Sequence, residues 1–375
     1  MKIVIAPDSF KESLSAYETA CAIERGFRAV LPDADYIKLP MADGGEGTVQ
    51  SLVNATGGTI FNQVVTGPLG EQVDAFFGML GDGQTAVIEI AAASGLHLVP
   101  PEKRNPLFTT SRGTGELMLA ALDKGASHLI IGLGGSATND GGVGMMQGLG
   151  ARFLDQSGQE LLSGGGALHQ LAVIDLSGLD PRLKTTRLEV ACDVDNPLTG
   201  ERGASAVFGP QKGANDEMVQ LLDKNLSHLA HMVEKQLNVS FGDTAGAGAA
   251  GGLGASLRGF LHADLQRGID IVLKAVNFDE IVKDADLVIT GEGRIDRQTI
   301  YGKTPIGVAK AAKQFNISVI GIAGSLSKDS EVVHDYGIDA LFSIVPGITS
   351  LSDAMQEADR HVERTSRNIA AVMTF

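Results

Sequence analysis

The chain of 375 residues has little cysteine, no excess of positive charge and no long apolar run. Its two cysteines, Cys21 and Cys192, cannot build a disulfide framework, and their spacing matches no zinc pattern. With 30 Lys and Arg against 45 Asp and Glu, the formal charge is −15. That balance argues against nonspecific nucleic-acid or anionic-membrane binding, which needs a basic face. No apolar run approaches the ~18 residues of a membrane span. The opening Met1-Lys2-Ile3-Val4-Ile5-Ala6 is too short an apolar burst for a signal peptide and reads as a buried strand. The expectation is a reduced, soluble, cytoplasmic protein. No internal repeat or low-complexity linker is visible, and 48 glycines against 12 prolines imply many tight loops. An anionic substrate stays open, because a few local cations and helix N-termini suffice to hold one.

At about 150 residues per domain the length suggests two domains or three. Both ends alternate strand and helix. Residues 3–6 read as a strand. Ser15-Ala16-Tyr17-Glu18 is a capping box that starts a helix running to about Val30. A second strand at 35–39 precedes a helix that stops at Gly57-Gly58. Near the C-terminus, residues 287–290, 318–323 and 340–345 read as strands. Thr304 is expected to cap a helix with Pro305 at its first position, and a short helix is expected at 328–336. A last helix carries Leu351, Met355, Ala358, Val362, Ile369 and Val372 on one face. Two βα units at one end and three at the other predict a doubly wound α/β domain with a five-stranded parallel sheet. It would comprise residues 1–58 and 285–375, discontinuous around an inserted α/β domain at 59–284. Within the insertion, strands are expected at 59–65, 73–79, 86–90, 128–133 and 187–192, and helices at 114–124 and 215–236.

In an open parallel sheet, ligands bind beyond the carboxyl ends of the strands, where the strand order reverses. That selects the loop with Asp8, Ser9 and Lys11, the loop 40–48 with Asp43 and Glu46, and the loop 291–297 with Glu292, Arg294 and Asp296. In the insertion, Gly134-Gly135-Ser136-Ala137-Thr138-Asn139-Asp140-Gly141-Gly142 follows a strand. Its glycines and hydroxyls suit a phosphate cradle. Asp193-Val194-Asp195-Asn196-Pro197 offers carboxylates for a hard cation such as Mg²⁺, with an Asx turn before Pro197 as the alternative. Gly302-Lys303-Thr304 ends like a P-loop, but Arg297 stands where the first glycine belongs. Residues 132–137 fit G-x-G-x-x-A with Asp155 near the acidic position, yet the stretch that follows is a poor helix opening. Residues 246–251 fit G-x-G-x-x-G with no convincing strand before them. His228 and His231 read as a solvated helix face, and Cys21 as core. Neither cysteine has a histidine partner in sequence that would make a thiol nucleophile.

Ala6-Pro7-Asp8-Ser9-Phe10-Lys11-Glu12-Ser13-Leu14-Ser15 and Met41-Ala42-Asp43-Gly44-Gly45-Glu46-Gly47-Thr48 resemble the opening motifs of bacterial glycerate kinases. The string 134–142 and Thr290-Gly291-Glu292-Gly293-Arg294-Ile295-Asp296 resemble later motifs of that family. The resemblance implies ATP-dependent phosphorylation of D-glycerate with Mg²⁺. It also implies a flavodoxin-like domain carrying an inserted domain distantly like restriction endonucleases. Similarity to the enterobacterial type implies 2-phosphoglycerate as product, with 3-phosphoglycerate the alternative.

Phosphoryl transfer requires alignment, neutralisation of charge and a held metal. On this reading Lys11, Asp193 and Asp296 are the catalytic candidates. Asp8, Ser9, Asp43, Glu46 and Arg294 would bind substrate, and Gly134, Gly135, Ser136, Thr138, Asn139 and Gly141 the ATP phosphates. Asp193 and Asp195 would ligate the metal. The active site is expected in the cleft between the domains, whose closure would exclude water. Partners are limited to the small substrate, with a homo-oligomer possible. Two rivals are a nicotinamide-dependent oxidoreductase using 132–137 and Asp155, and a non-catalytic sugar-acid-binding protein.

Overall fold

The computed structural model describes residues 1–375. In chain order the strands are β1 (Lys2–Ile5), β2 (Asp35–Lys38), β3 (Thr59–Thr66), β4 (Gln72–Met79), β5 (Thr85–Glu89), β6 (His128–Gly132) and β7 (Arg152–Leu154). They continue with β8 (Val173–Asp175), β9 (Arg187–Ala191), β10 (Asp264–Gln266), β11 (Leu287–Ile295), β12 (Ser318–Leu326) and β13 (Ala340–Ser343). The chain divides into two compact units. One comprises residues 1–43, 50–57 and 269–375, the other 44–49 and 58–268. The helices Gly268–Ala275 and Phe278–Val282, which the sequence reading gave to the insertion, therefore fall almost wholly in the first unit.

The first unit holds a five-stranded sheet in the order β13-β12-β11-β1-β2. Every neighbouring pair is parallel. Relabelled by order within the unit this is 2-1-3-4-5, the flavodoxin-like arrangement, with its switch point between β1 and β11. Ile3, Ile5, Leu287, Ile289 and Ile322 form its core with Ile23 and Phe27 of the helix Ala16–Arg28. That helix opens on the expected capping box: Ser15 Oγ accepts the Glu18 N–H at 3.2 Å, and Glu18 accepts the Ser15 N–H at 2.9 Å.

The second unit holds a six-stranded mixed sheet, β10-β9-β6-β5-β4-β3, and a small β7-β8 pair. β3, β4 and β5 pair antiparallel, while β5, β6, β9 and β10 are parallel. Its apolar core is separate and includes Ile88, Ile131, Val190, Met145 and Leu229. The helices Arg112–Asp123 and Asp216–Leu237 lie within two residues of expectation. β7, β8 and β10, three residues each, are too short to leave a periodic signal. No helix is long and apolar enough to cross a membrane.

Three local readings change. β11 runs to Ile295 instead of ending at Thr290, because residues 291–295 keep pairing with β12 as far as Leu326. Lys303, not Thr304, occupies the cap of the helix Thr304–Lys313, with Pro305 one residue further in. The final helix breaks at Glu357 into Leu351–Gln356 and Ala358–Val372, so its apolar stripe serves two environments.

The helices Ala16–Arg28 and Ala358–Val372 approach most closely at Gly26. A Cβ there would lie 2.3 Å from the Glu363 carbonyl oxygen and 2.6 Å from Ser366 Cβ. Gly26→Ala gains roughly 1 kcal/mol of helix propensity. The clash is with backbone, which cannot rotate away, and overpacking of this kind costs about 1–3 kcal/mol. Gly26→Ala is therefore expected to lower the denaturant midpoint of the first unit; a raised midpoint would show that these helices part freely.

Candidate active site

The switch point of the first unit opens into a cavity of about 430 Å³. Asp8, Ser9 and Lys11 reach it from the loop after β1, Asp43 from the loop after β2, and Glu292 and Arg294 from β11. Because alternate strand residues share a face, the continuation of β11 presents Glu292 and Arg294 on the same side. Lys303, at the cap of the helix Thr304–Lys313, completes the polar half.

Asp8 is the most perturbed group here. Its Oδ1 accepts the Ser9 N–H at 2.6 Å and its Oδ2 accepts the Thr304 hydroxyl at 2.6 Å. Burial, then the carboxylates of Asp43 and Glu292, push its pKa up to about 6, against the lowering effect of the two hydrogen bonds. Burial also raises Glu292, which accepts the Thr299 hydroxyl at 2.7 Å and Lys303 Nζ at 3.3 Å. Lys11 is exposed at the cavity. Its neighbour Glu12 sits at φ 62°, a left-handed conformation that costs a non-glycine residue about 1–2 kcal/mol. Bonds from the Ser13 and Leu14 N–H groups to the Phe10 carbonyl hold that tight loop. Arg294 is exposed and stands 3.4 Å from Asp296.

Asp296 itself does not line the cavity. It caps the turn Arg297–Tyr301 by accepting the Gln298 N–H at 2.8 Å. Its geometry is that of a structural cap, whereas Asp8, which the sequence suggests as a substrate ligand, has the environment of an acid–base group. The sequence does not mark Lys303 and Thr304 as site residues: Gly302-Lys303-Thr304 departs from the P-loop pattern, and only the pairing of β1 with β11 brings it to Asp8.

The second unit has its own cavity of about 380 Å³. Gly44, Gly45, Gly132, Gly134 and Gly135 form one wall, Phe76 and Leu96 are apolar, and Glu46, Asp74 and Glu89 bring carboxylates. Glycine at 132 allows a close backbone approach, since a Cβ would stand 2.3 Å from the Gly44 carbonyl oxygen. No lysine or arginine lines this cavity. Glu89, raised by burial, accepts the Val49 N–H at 2.8 Å near the start of the helix Thr48–Thr56.

The loop 134–142 thus divides between two roles. Gly134 and Gly135 face the cavity, but Ser136, Thr138 and Asn139 are buried. Asn139 Nδ2 donates to Ser205 Oγ at 2.9 Å, and buried Lys212 donates to Ser136 Oγ at 2.9 Å and to the Thr138 carbonyl at 2.6 Å. Burial depresses Lys212 to about 7, against the opposing charge of Asp140. Asp140 accepts the Ser111 hydroxyl and N–H at 2.8 and 2.9 Å. Gly141, at φ 63°, packs on Leu229 and Leu226. Ser136, Asn139 Nδ2, Asp140 and Gly141 thus brace the loop from within, while Thr138 Oγ1 and Asn139 Oδ1 are buried without a hydrogen-bond partner.

Asp193 Oδ1 accepts the Gly268 N–H at 3.0 Å, and Asp195 is 73% exposed and paired with Arg202 at 2.8 Å. Neither lines either cavity. No group of three or more His, Cys, Asp and Glu side chains gathers where it could hold a metal. The donor set therefore does not fit a resident Mg²⁺ site built by protein side chains alone. His228 Nε2 pairs with the Leu171 carbonyl at 2.9 Å, and burial raises the Cys192 thiol. Asp155 is tied into its own turn by Ser157 and Gln159, which removes the ribose partner that a dinucleotide reading needs.

The model of the glycerate kinase family matches residues 3–374. A glycerate kinase of Bacillus subtilis (strain 168) is 71% identical over 371 residues, covering 99% of this chain and 97% of that protein. The glycerate 2-kinase of Escherichia coli (strain K12) is 60% identical over 375 residues, covering 100% and 98%. The crystal structure of a protein described as glycerate kinase 2 from Salmonella typhimurium LT2 superposes with a TM-score of 0.93 at 59% identity, covering 100% of this chain and 98% of that one. The chain belongs to the glycerate kinase family.

Proposed function

We propose that the protein transfers the γ-phosphoryl group of ATP to the C2 hydroxyl of D-glycerate, and that the cavity of the first unit is where the oxygen is activated. Full-length similarity to a glycerate 2-kinase supports the reaction and its regiochemistry. The observation that supports the place is the gathering of Lys11, Arg294 and Lys303 around a half-buried, hydrogen-bonded Asp8. Glycerate and ATP are both anions. The cavity of the second unit has three carboxylates and no lysine or arginine, whereas this one balances Asp8, Asp43 and Glu292 with three cations.

The hydroxyl oxygen attacks the γ-phosphorus, the bond to the bridging oxygen breaks, and ADP leaves. Asp8 accepts the hydroxyl proton. A base is effective when its pKa lies near the working pH, and burial beside Asp43 and Glu292 moves Asp8 into that range. Lys11 and Arg294, both exposed, are free to turn onto the carboxylate of glycerate or the transferring phosphoryl group. Lys303 is held against Glu292 and keeps a fixed charge at the cavity wall. A divalent cation, when it accompanies the nucleotide, neutralises phosphate charge.

Three measurements test this reading. With D-glycerate, ATP and Mg²⁺, added enolase alone is expected to yield phosphoenolpyruvate. A requirement for phosphoglycerate mutase would assign the product as the 3-phosphate, and ADP release without glycerate would remove the kinase reading. Lys11→Ala should lose roughly 10²–10³ in kcat if Lys11 stabilises developing charge; a folded variant within about threefold of wild type excludes it from the mechanism. Asp8 must be ionised to take a proton, so kcat/KM for glycerate at saturating ATP should fall as pH drops through about 6. Asp8→Asn should lose roughly 10²–10⁴ in rate together with that acid limb. An acid limb retained in Asp8→Asn would assign the base elsewhere.

A further inference from the structure

The cavity of the first unit is larger and less polar than its charged half requires. Its volume of about 430 Å³ falls in the roughly 300–1,000 Å³ range of sites for drug-sized ligands, several times what three-carbon glycerate fills. The charged residues occupy one half. The other half is built by Phe10, by Ile344 and Val345 after β13, and by Leu351, Ala354 and Met355. The last three, with Ala358, stand at i, i+3, i+4 and i+7, the spacing of one helix face. In the sequence Leu351, Met355 and Ala358 read as one face of a single last helix, together with Val362 and Ile369. In the structure the break at Glu357 sends Val362 and Ile369 into the core while Leu351 stays 75% exposed. The short helix is fixed in this pose by the Ser13 hydroxyl, which donates to the Met355 carbonyl at 2.7 Å from the same loop that carries Lys11. An apolar stripe is therefore held over the cavity, beside three cations, with its first residue bare.

We propose that this apolar half takes the adenosine of the nucleotide, laid on Phe10, Ile344, Leu351 and Met355, with its phosphates directed to Lys11, Arg294 and Lys303. Charge complementarity selects the occupant. A ligand with a flat apolar end and a polyanionic end matches both halves, whereas glycerate alone leaves the apolar half unused. The assignment rests on the reading of this cavity as the reaction site, and it places the nucleotide in the first unit instead of at the loop 134–142.

The test compares two inhibitors of the full-length enzyme, ADP and inorganic tripolyphosphate, which differ by the adenosine. Leu351 is exposed, so Leu351→Asp should fold. It should weaken ADP inhibition roughly tenfold or more, because the adenosine loses its apolar contact and would cover a carboxylate, but move inhibition by tripolyphosphate, which does not reach that half, several-fold less. The KM for D-glycerate should stay within about twofold. Phe76→Leu, in the cavity of the second unit, should leave ADP inhibition unchanged. Photolabelling with 8-azido-ADP gives a second, mutation-free readout and should mark residues 342–358. Unchanged ADP inhibition in Leu351→Asp, weakened ADP inhibition in Phe76→Leu, or an adduct within residues 74–98 would each overturn the placement. Failure of the reaction-site reading would look different: Lys11→Ala and Asp8→Asn would keep full activity whatever ADP binding shows.

Discussion

Everything in the cavity of the first unit depends on the parallel pairing of β1 with β11, in which Ile3, Val4 and Ile5 stand opposite Leu287, Val288 and Ile289. The paired residues are 284 positions apart in the chain. Their pairing continues beyond the strand, with the Ala6 N–H donating to the Ile289 carbonyl at 2.7 Å and the Asp8 N–H to the Gly291 carbonyl at 2.8 Å. The Thr290 hydroxyl adds a bond to the Ala6 carbonyl at 2.8 Å. Asp8 is thus fixed against β11 by backbone bonds, and the following helix supplies Thr304 to its carboxylate. The parallel register makes long-range closure costly in entropy. What offsets that cost is the burial of nine of the thirteen residues of the two strands.

The same closure explains the unusual electrostatics of Asp8. A carboxylate buried beside two others is unstable as an anion unless donors or cations compensate. Here Thr304 and the Ser9 N–H compensate in part, while Lys11, Arg294 and Lys303 lie around the cavity and not on the carboxylate itself. The fold leaves Asp8 with a proton affinity near the physiological range and leaves cations available to an incoming anion. An arrangement optimised for stability alone would have paired Asp8 directly with a lysine and lost both properties.

In the second unit, polar residues are spent differently. The loop after β6 reads as a phosphate cradle because glycines, hydroxyls and an amide are concentrated there. Instead the Ser136 hydroxyl meets Lys212, the Asn139 amide nitrogen meets Ser205, the Thr138 hydroxyl is buried, and Asp140 collects donors from the start of the helix Arg112–Asp123 and from the loop itself. Sequence composition cannot distinguish a loop that binds an anion from one that binds itself, because both need donors and small residues. The distinction lies in which way the side chains face. Lys212 was not legible for the same reason: 74 residues separate it from Thr138, and nothing local marks a lysine that will be buried.

By itself, the sequence determined the local elements and the class of fold. Alternating apolar strands and capped helices at both ends required a parallel α/β sheet, the Ser15 box required the helix it starts, and the motif strings carried the family. These are properties of short windows, where hydrophobic period and capping chemistry act without long-range partners. The tertiary structure alone decided which charged residues meet. It extended β11 past Thr290, turned Thr304 from cap to Asp8 partner, made Asp296 a cap, set Asp195 on Arg202, and broke the last helix so that part of its apolar face lines a cavity. Each of these outcomes depends on pairing or burial between segments far apart in the chain, and a residue's own neighbours in sequence hold no record of that.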